Sequence, residues 1–288
     1  MGSTASRAVT APTTGGGELS LLRLNILRTV YALIAFAEGS IVFPDLFVHA
    51  PDARGVIPSL LSGFCLICVL GLRYPRQMLP LLLFEMAWKY IWFFAFGLPQ
   101  WLSGQHQATF ADDFPAITFG VVLMPFVIPW GYAWRTYVKA SGDRWRSSGS
   151  AAGIWKRGDH EVSLIRLYVM RAIALLGIWG LLPTVEALVV HAPLDRGVHK
   201  ALIGGLWLMA VFALRYPLKM VPILLFEMTW KLVWLLAFGL PQWSAGSGSA
   251  QLREDLWAIG AFPVVCALVI PWGYVWRHYV KAPGERWR

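Results

Sequence analysis

The chain has 288 residues, of which 57% are hydrophobic and only 14% charged, with a mean hydropathy of +0.55. A soluble domain is about 45–50% apolar and about 25% charged, so this composition excludes a water-soluble globule. The net charge of +9 does not imply nucleic acid, because the basic residues collect at the ends of apolar stretches and no recognition fold accompanies them.

In chain order, residues 1–20 are small and polar without an apolar core, and read as a disordered tail rather than a signal peptide. Apolar stretches then recur at 24–47, 56–72, 78–98, 115–136, 165–190, 199–214, 220–240 and 257–277. A helix crosses the hydrocarbon core with about 20 such residues. These stretches predict an all-α polytopic protein with eight transmembrane helices, whose constant partner is the lipid bilayer. The second and sixth are short, and are expected to be tilted or partly re-entrant.

The sequence repeats itself. From Arg73 to Arg146 and from Arg215 to Arg288 it aligns without a gap at an offset of 142, and RYP, LLFEM, AFGLPQW, IPWGY and YVKA return at that spacing. The first helix aligns with a one-residue slip, LLRL at 21–24 against LIRL at 164–167. The expected organisation is a four-helix repeat at 21–146, a cytoplasmic linker at 147–163, and a second four-helix repeat at 164–288. An even number of spans gives both repeats the same orientation, so they should form a pseudo-dimer about an axis along the membrane normal.

Charge fixes which side is which. Arg23, Arg73, Arg76, Arg135, Lys139, Arg166, Arg215, Lys219, Arg277 and Lys281 fall on one side, and few basic residues fall on the other. Basic residues mark the cytoplasmic face, so both termini are expected inside, in a multi-pass protein of the cell inner membrane.

The most informative segment is LLFEMAWKYIWFFAFGLPQW at 82–101, echoed by LLFEMTWKLVWLLAFGLPQW at 224–243. Each places a glutamate four residues before a lysine on one helix face, Glu85 with Lys89 and Glu227 with Lys231. At 1.5 Å per residue, Lys89 lies about 16 Å from the cytoplasmic entry, near the bilayer centre. A charge there costs about 2.5–3.5 kcal/mol on insertion scales, which makes both pairs candidate ligand or proton sites. The bland reading is a self-neutralising pair that fixes helix register. Glu38, midway along the first span, gives Lys89 a second carboxylate, while the second repeat has no acid there until Glu186. The first repeat is therefore the expected active copy. Arg28 and Arg171 lie a turn or two inside their helices, where pairing with Glu85 and Glu227 competes with snorkelling to the headgroups.

Pro129 and Pro271 fall inside the fourth and eighth predicted spans, where each frees a carbonyl four residues earlier and forms a kink or lines a cavity. Trp101, Trp130, Trp134, Trp243, Trp272 and Trp276 read as an interfacial belt. Cys65 and Cys68 have CxxC spacing but sit in an apolar helix, and read as packing. His49 and His191 lack the companions a metal would need, so no metal and no cofactor are expected.

The LLRL opening and the LLFExxWKxxW…GLPxW core resemble small uncharacterised bacterial inner-membrane proteins of four spans, here two units in tandem. A looser similarity, through unit size and the arginine at 23 or 166, is to DoxX-like membrane proteins, whose pattern does not include the Glu–Lys pair. Neither resemblance implies a substrate. Three functions stay open: a carrier of a small solute or ion coupled to protons, a structural or partner-binding subunit, and an enzyme or redox accessory acting on a lipid-soluble substrate.

Overall fold

A computed structural model of the chain describes residues 19–47, 55–145, 162–189, 197–246 and 248–287. The tail at 1–18, most of the linker, and His49, Arg54, His191 and Arg196 lie outside the described residues. Those described form helices and no strands: α1 (Leu21–Leu46), α2 (Val56–Arg73), α3 (Leu79–Ser103), α4 (Phe110–Val127), α5 (130–139), α6 (Leu164–Val189), α7 (Val198–Arg215), α8 (Val221–Ser244), α9 (Ala250–Val269) and α10 (Trp272–Lys281). Seven are long and apolar enough to cross a membrane, and α9 with α10 make an eighth if that bent pair is one span. The chain is an integral membrane protein by this measure.

Local chemistry sets the helix ends. Ser20 caps α1 by accepting from the Arg23 N–H at 3.3 Å. Pro80 and Pro222 stand in the first turns of α3 and α8, where their missing N–H costs nothing. The second and sixth apolar stretches are not interrupted: α2 and α7 are continuous helices of 18 residues.

The fourth and eighth stretches need correction. α4 stops at Val127 and α9 at Val269, before Pro129 and Pro271, and α10 leaves α9 at 71°. Proline disfavours helical geometry in the residue before it, and Ile128 and Ile270 accordingly adopt ψ of 125° and 127°. Each proline also deprives the carbonyl four residues earlier of its donor. The neighbouring tryptophan replaces that donor: Trp130 Nε1 donates to Pro125 O at 2.8 Å, and Trp272 Nε1 to Ala267 O at 2.7 Å. IPWGY is thus a corner with its own cap. Arg23 and Arg166 add a further donor at each corner, to Phe126 O and Ile270 O.

Packing crosses between the two halves of the sequence. Within each half α1 lies on α2 and α6 on α7, but α2 then packs on α8 and α7 on α3. Glycines permit the close approach. A Cβ at Gly63 would lie 2.5 Å from Trp230 Cα, and one at Gly205 would lie 3.0 Å from Trp88 Cβ. Gly55 and Gly197 start α2 and α7 at φ of 64° and 70°, each under a phenylalanine ring of the opposite half, Phe238 and Phe96. Phe84 and Phe226, alike in position, meet at 5.1 Å between ring centroids, and Phe64 joins both at 5.4 and 5.5 Å. Such tilted and edge-on pairs add about 0.5–1.5 kcal/mol each beyond their buried area.

Beyond α5 and α10 the chain reaches across again. The Asp143 N–H donates to Arg215 O and the Glu285 N–H to Arg73 O, both at 3.0 Å. Tyr216 and Tyr74 hydroxyls donate to Ala140 O at 2.7 Å and Ala282 O at 2.8 Å. Asp143 Oδ2 accepts from the Leu218 N–H at 2.8 Å, and Glu285 accepts from the Arg76 N–H and Nε. Gly142 and Gly284 let this backbone lie against Arg215 and Arg73. The two crossed clasps tie each half's end to the other half.

Both clasp carboxyls sit above their ordinary range, because burial outweighs the Leu218 N–H and Lys219 at Asp143 and Arg76 at Glu285. A carboxyl with a raised folded value binds its proton more tightly folded than unfolded. Its stabilisation is complete below the unfolded value, about pH 4, and is lost as pH rises through the folded value. Stability is therefore expected to rise as pH falls through the folded value toward about 4, and Glu285→Gln should flatten that slope in detergent unfolding curves. An equal slope in the variant contradicts this.

Candidate functional site

The helical spacing of α3 brings Glu85 and Lys89 together, with Lys89 Nζ 2.7 Å from Glu85 Oε1. Trp88, one turn along, donates its indole N–H to Glu85 Oε2 at 2.6 Å. The Glu85 side chain is 1% exposed and that of Lys89 14%. The lysine stem lies against α4, where a Cβ at Gly120 would stand 2.6 Å from Lys89 Cδ. Glu38 is within electrostatic reach of both groups. It sits at the end of a π-helical turn, Leu33–Glu38, a distortion that re-aims side chains in many helices. Tyr31, fully buried, closes the neighbouring space by lying on Gly71, where a Cβ would be 2.3 Å from its ring. The glutamate of this pair is fully packed.

The matching pair on α8 has a different setting. Lys231 Nζ donates to Glu227 Oε2 at 2.5 Å and lies 3.6 Å from the centroid of the Phe262 ring. Phe262 occupies the position of Gly120 and holds the lysine differently. Both members of the pair line a cavity of about 560 Å³ walled by α6, α7, α8 and α9 and open on one side. Pockets of roughly 300–1,000 Å³ hold small molecules. The origin of the cavity is legible residue by residue. Ala174 and Ala213 stand where the first half has Tyr31 and Gly71, Gly177 replaces Ile34, Leu206 replaces Phe64, and Leu181 replaces Glu38. The space that Tyr31 fills in one half is empty in the other.

The indole N–H also differs. Glu227 Oε2 accepts from Lys231 rather than from tryptophan, and Trp230 Nε1, buried in a cavity-lining residue, finds no acceptor among the described residues. Trp88→Phe is therefore expected to destabilise by about 1.5–3 kcal/mol, the value of a hydrogen bond to a charged group. Trp230→Phe should be neutral or stabilising, since it removes an unsatisfied donor. Equal losses in unfolding measurements on the two variants contradict the asymmetry.

The remaining sequence candidates fall elsewhere. Arg28 does not meet Glu85, nor does it snorkel; it donates to Leu72 O, Asn25 Oδ1, Glu285 O and Arg286 O and stacks 3.9 Å over Trp287. Arg171 likewise donates to Leu214 O and Asp143 O and stacks 3.8 Å over Trp145. Both are anchors of the crossed clasps. Pro129 and Pro271 belong to the corners described above, away from either pair. Cys65, Cys68 and Cys266 are buried and free, and no group of metal-ligating side chains forms among the described residues. Trp101, Trp130, Trp134, Trp243, Trp272 and Trp276 are all exposed, as an interfacial belt requires.

Sequence reasoning overlooked Trp230 because it is identical to Trp88 in sequence and differs only in its partner. It overlooked Asp143 and Glu285 although GDRWR and GERWR recur at the repeat spacing, which was the available signal. No protein-family model, curated protein or solved structure matches this chain.

Proposed function

We propose that the protein is a carrier of a small molecule, built as two parallel four-helix repeats about an axis between Phe84 and Phe226, with the Glu227–Lys231 cavity as its binding site. The observation that carries this reading is the cavity itself, which is lined by an acid and a base among apolar residues. Through this ion pair, binding of the molecule is coupled to proton movement. Placement in the cell inner membrane with both termini cytoplasmic follows from the distribution of basic residues and from the resemblance to bacterial four-span proteins.

The Glu85–Lys89 pair favours the structural role. It is held by Trp88 and lies against Gly120, and it fixes helix register in the first half. In vesicles bearing an imposed pH gradient and an internal pH-sensitive dye, Lys231→Met is expected to abolish protein-dependent proton flux. Lys89→Met, in the fraction that folds, should retain it. Undiminished flux in Lys231→Met rejects the carrier reading.

A further inference from the structure

The proposed binding site leaves its ligand open, and the polar atoms it offers narrow the choice. We propose that the cavity takes an uncharged lipid alcohol from the bilayer, its hydroxyl donating to Glu227 Oε1 and its hydrocarbon body against the apolar walls. This rests on the cavity being the binding site. The side chains that line it are apolar except those of Glu227, Lys231 and Trp230. The Trp230 N–H is closed off from contact, which leaves the ion pair. Lys231 occupies Glu227 Oε2 at 2.5 Å, whereas Oε1 accepts no hydrogen bond among the described residues. Nor is Oε1 shut away as its counterpart Glu85 Oε1 is. The Glu227 side chain is 16% exposed, against 1% for Glu85.

A carboxylate oxygen only accepts, so the ligand must bring a donor. An ether or ester oxygen brings none. An ammonium would leave net charge in a site that Glu227 and Lys231 have already neutralised. An acid anion would set a second negative charge beside Glu227, and either excess is costly away from water. A hydroxyl donates without charge, and its bond to an ionised acceptor is stronger than one between neutral groups. Ile203, Leu206, Met209 and Val265 supply hydrocarbon contacts for the body. Entry is from the side. Leu176 and Gly180 of α6 and Ala258 of α9 are wall residues and are also exposed, so the opening lies between two helices that meet only thinly.

The test uses the full chain in phospholipid vesicles with photoactivatable probes of one chain length: a diazirine-bearing dodecanol, its methyl ether, the parent dodecane and the dodecylamine. Labelling is read by mass spectrometry on peptides containing Met209 and Met220. It is divided by labelling at Phe126, 73% exposed on α4, which corrects for entry into the bilayer. The alcohol is expected to exceed the alkane and the ether about fivefold, the effect of one hydrogen bond. Glu227→Leu combined with Lys231→Leu should bring the alcohol down to the alkane level. Replacing both members of a buried pair by apolar residues is often neutral for stability, so this variant should fold. Glu85→Leu combined with Lys89→Leu should leave the alcohol ratio unchanged. Gly177→Ile should lower alcohol and alkane alike, since a Cβ there meets nothing nearer than Ala210 Cβ at 4.0 Å and the side chain fills the cavity. If the alcohol ratio survives loss of Glu227 and Lys231 while Gly177→Ile lowers both probes, the hydroxyl contact is wrong and the cavity stands. An ether equal to the alcohol overturns the hydroxyl as donor, and an amine above the alcohol overturns the choice of an uncharged ligand. If Gly177→Ile alters neither probe, the cavity reading falls with the proposal. Labelling as expected in a protein without proton flux rejects the carrier reading alone.

Discussion

Glu85→Ala is expected to destabilise the protein by about 3 kcal/mol, the lower end of the cost of breaking a buried ion pair, because Glu38 still faces the lysine. Lys89 would then lose its direct carboxylate partner and keep only Glu38 within electrostatic reach, and the Trp88 N–H would lose its acceptor as well. The geometry gives the lysine little room to escape, because its stem is held against Gly120. Glu227→Ala should cost about 1–2 kcal/mol, since the orphaned Lys231 faces a cavity and the Phe262 ring face. Detergent-denaturation midpoints of the two variants provide the comparison. A loss at Glu227 equal to or above that at Glu85 contradicts the division into a packed pair and a cavity-facing pair.

Arg28→Ala is expected to cost about 3 kcal/mol or more, because four acceptors and one aromatic stack lose the same guanidinium. Arg28→Lys should recover little of this. A lysine presents a point charge without the planar fork that spans Leu72 O and the Glu285 and Arg286 carbonyls. The release should be local before it is global: a protease acting on the sequence beyond Lys281 should cut the variant faster, under conditions in which α1 to α4 stay intact. Arg171→Ala is the matching case at Asp143 and Trp145. If Arg28→Lys behaves as wild type, charge rather than the fork holds the clasp, and the account of it is wrong.

The contrast between these residues and the sequence reading has a physical cause. Helix positions were legible because bilayer thickness imposes a length, and the i, i+4 contact of each Glu–Lys pair because helix pitch imposes a spacing. The breaks at Pro129 and Pro271 were legible as kinks but not as ends, since the outcome turned on Trp130 and Trp272 capping the freed carbonyls. Which helix packs on which was not legible. The apolar face of α2 serves α3 as well as α8, and the choice depends on Gly63 meeting Trp230.

The cavity was hidden for a related reason. Glu38 draws attention to the first half because a charge in the membrane is conspicuous. Tyr31, Ile34 and Phe64 on one side, against Ala174, Gly177 and Leu206 on the other, are all ordinary residues for a membrane helix. Only their joint volume decides that one site is filled and the other open, and volume does not appear in a pattern of hydropathy. The crossed clasps escaped because their partners are backbone carbonyls, which carry no sequence identity.

Position 68 and position 210 offer the most direct measurement, because they are equivalent in the repeat and one is naturally Cys68 while the other is Ala210. Cys68 is fully buried in the packed half, whereas Ala210 lines the cavity. In vesicles, a chain whose single cysteine is Cys68 and one whose single cysteine replaces Ala210 are treated with a lipid-soluble maleimide, with Leu176→Cys as the exposed reference. The account predicts that the cysteine at 210 reacts at a rate approaching that of position 176 while Cys68 stays unmodified. Equal reactivity at 68 and 210 would contradict the claim that one half is packed and the other open to a ligand.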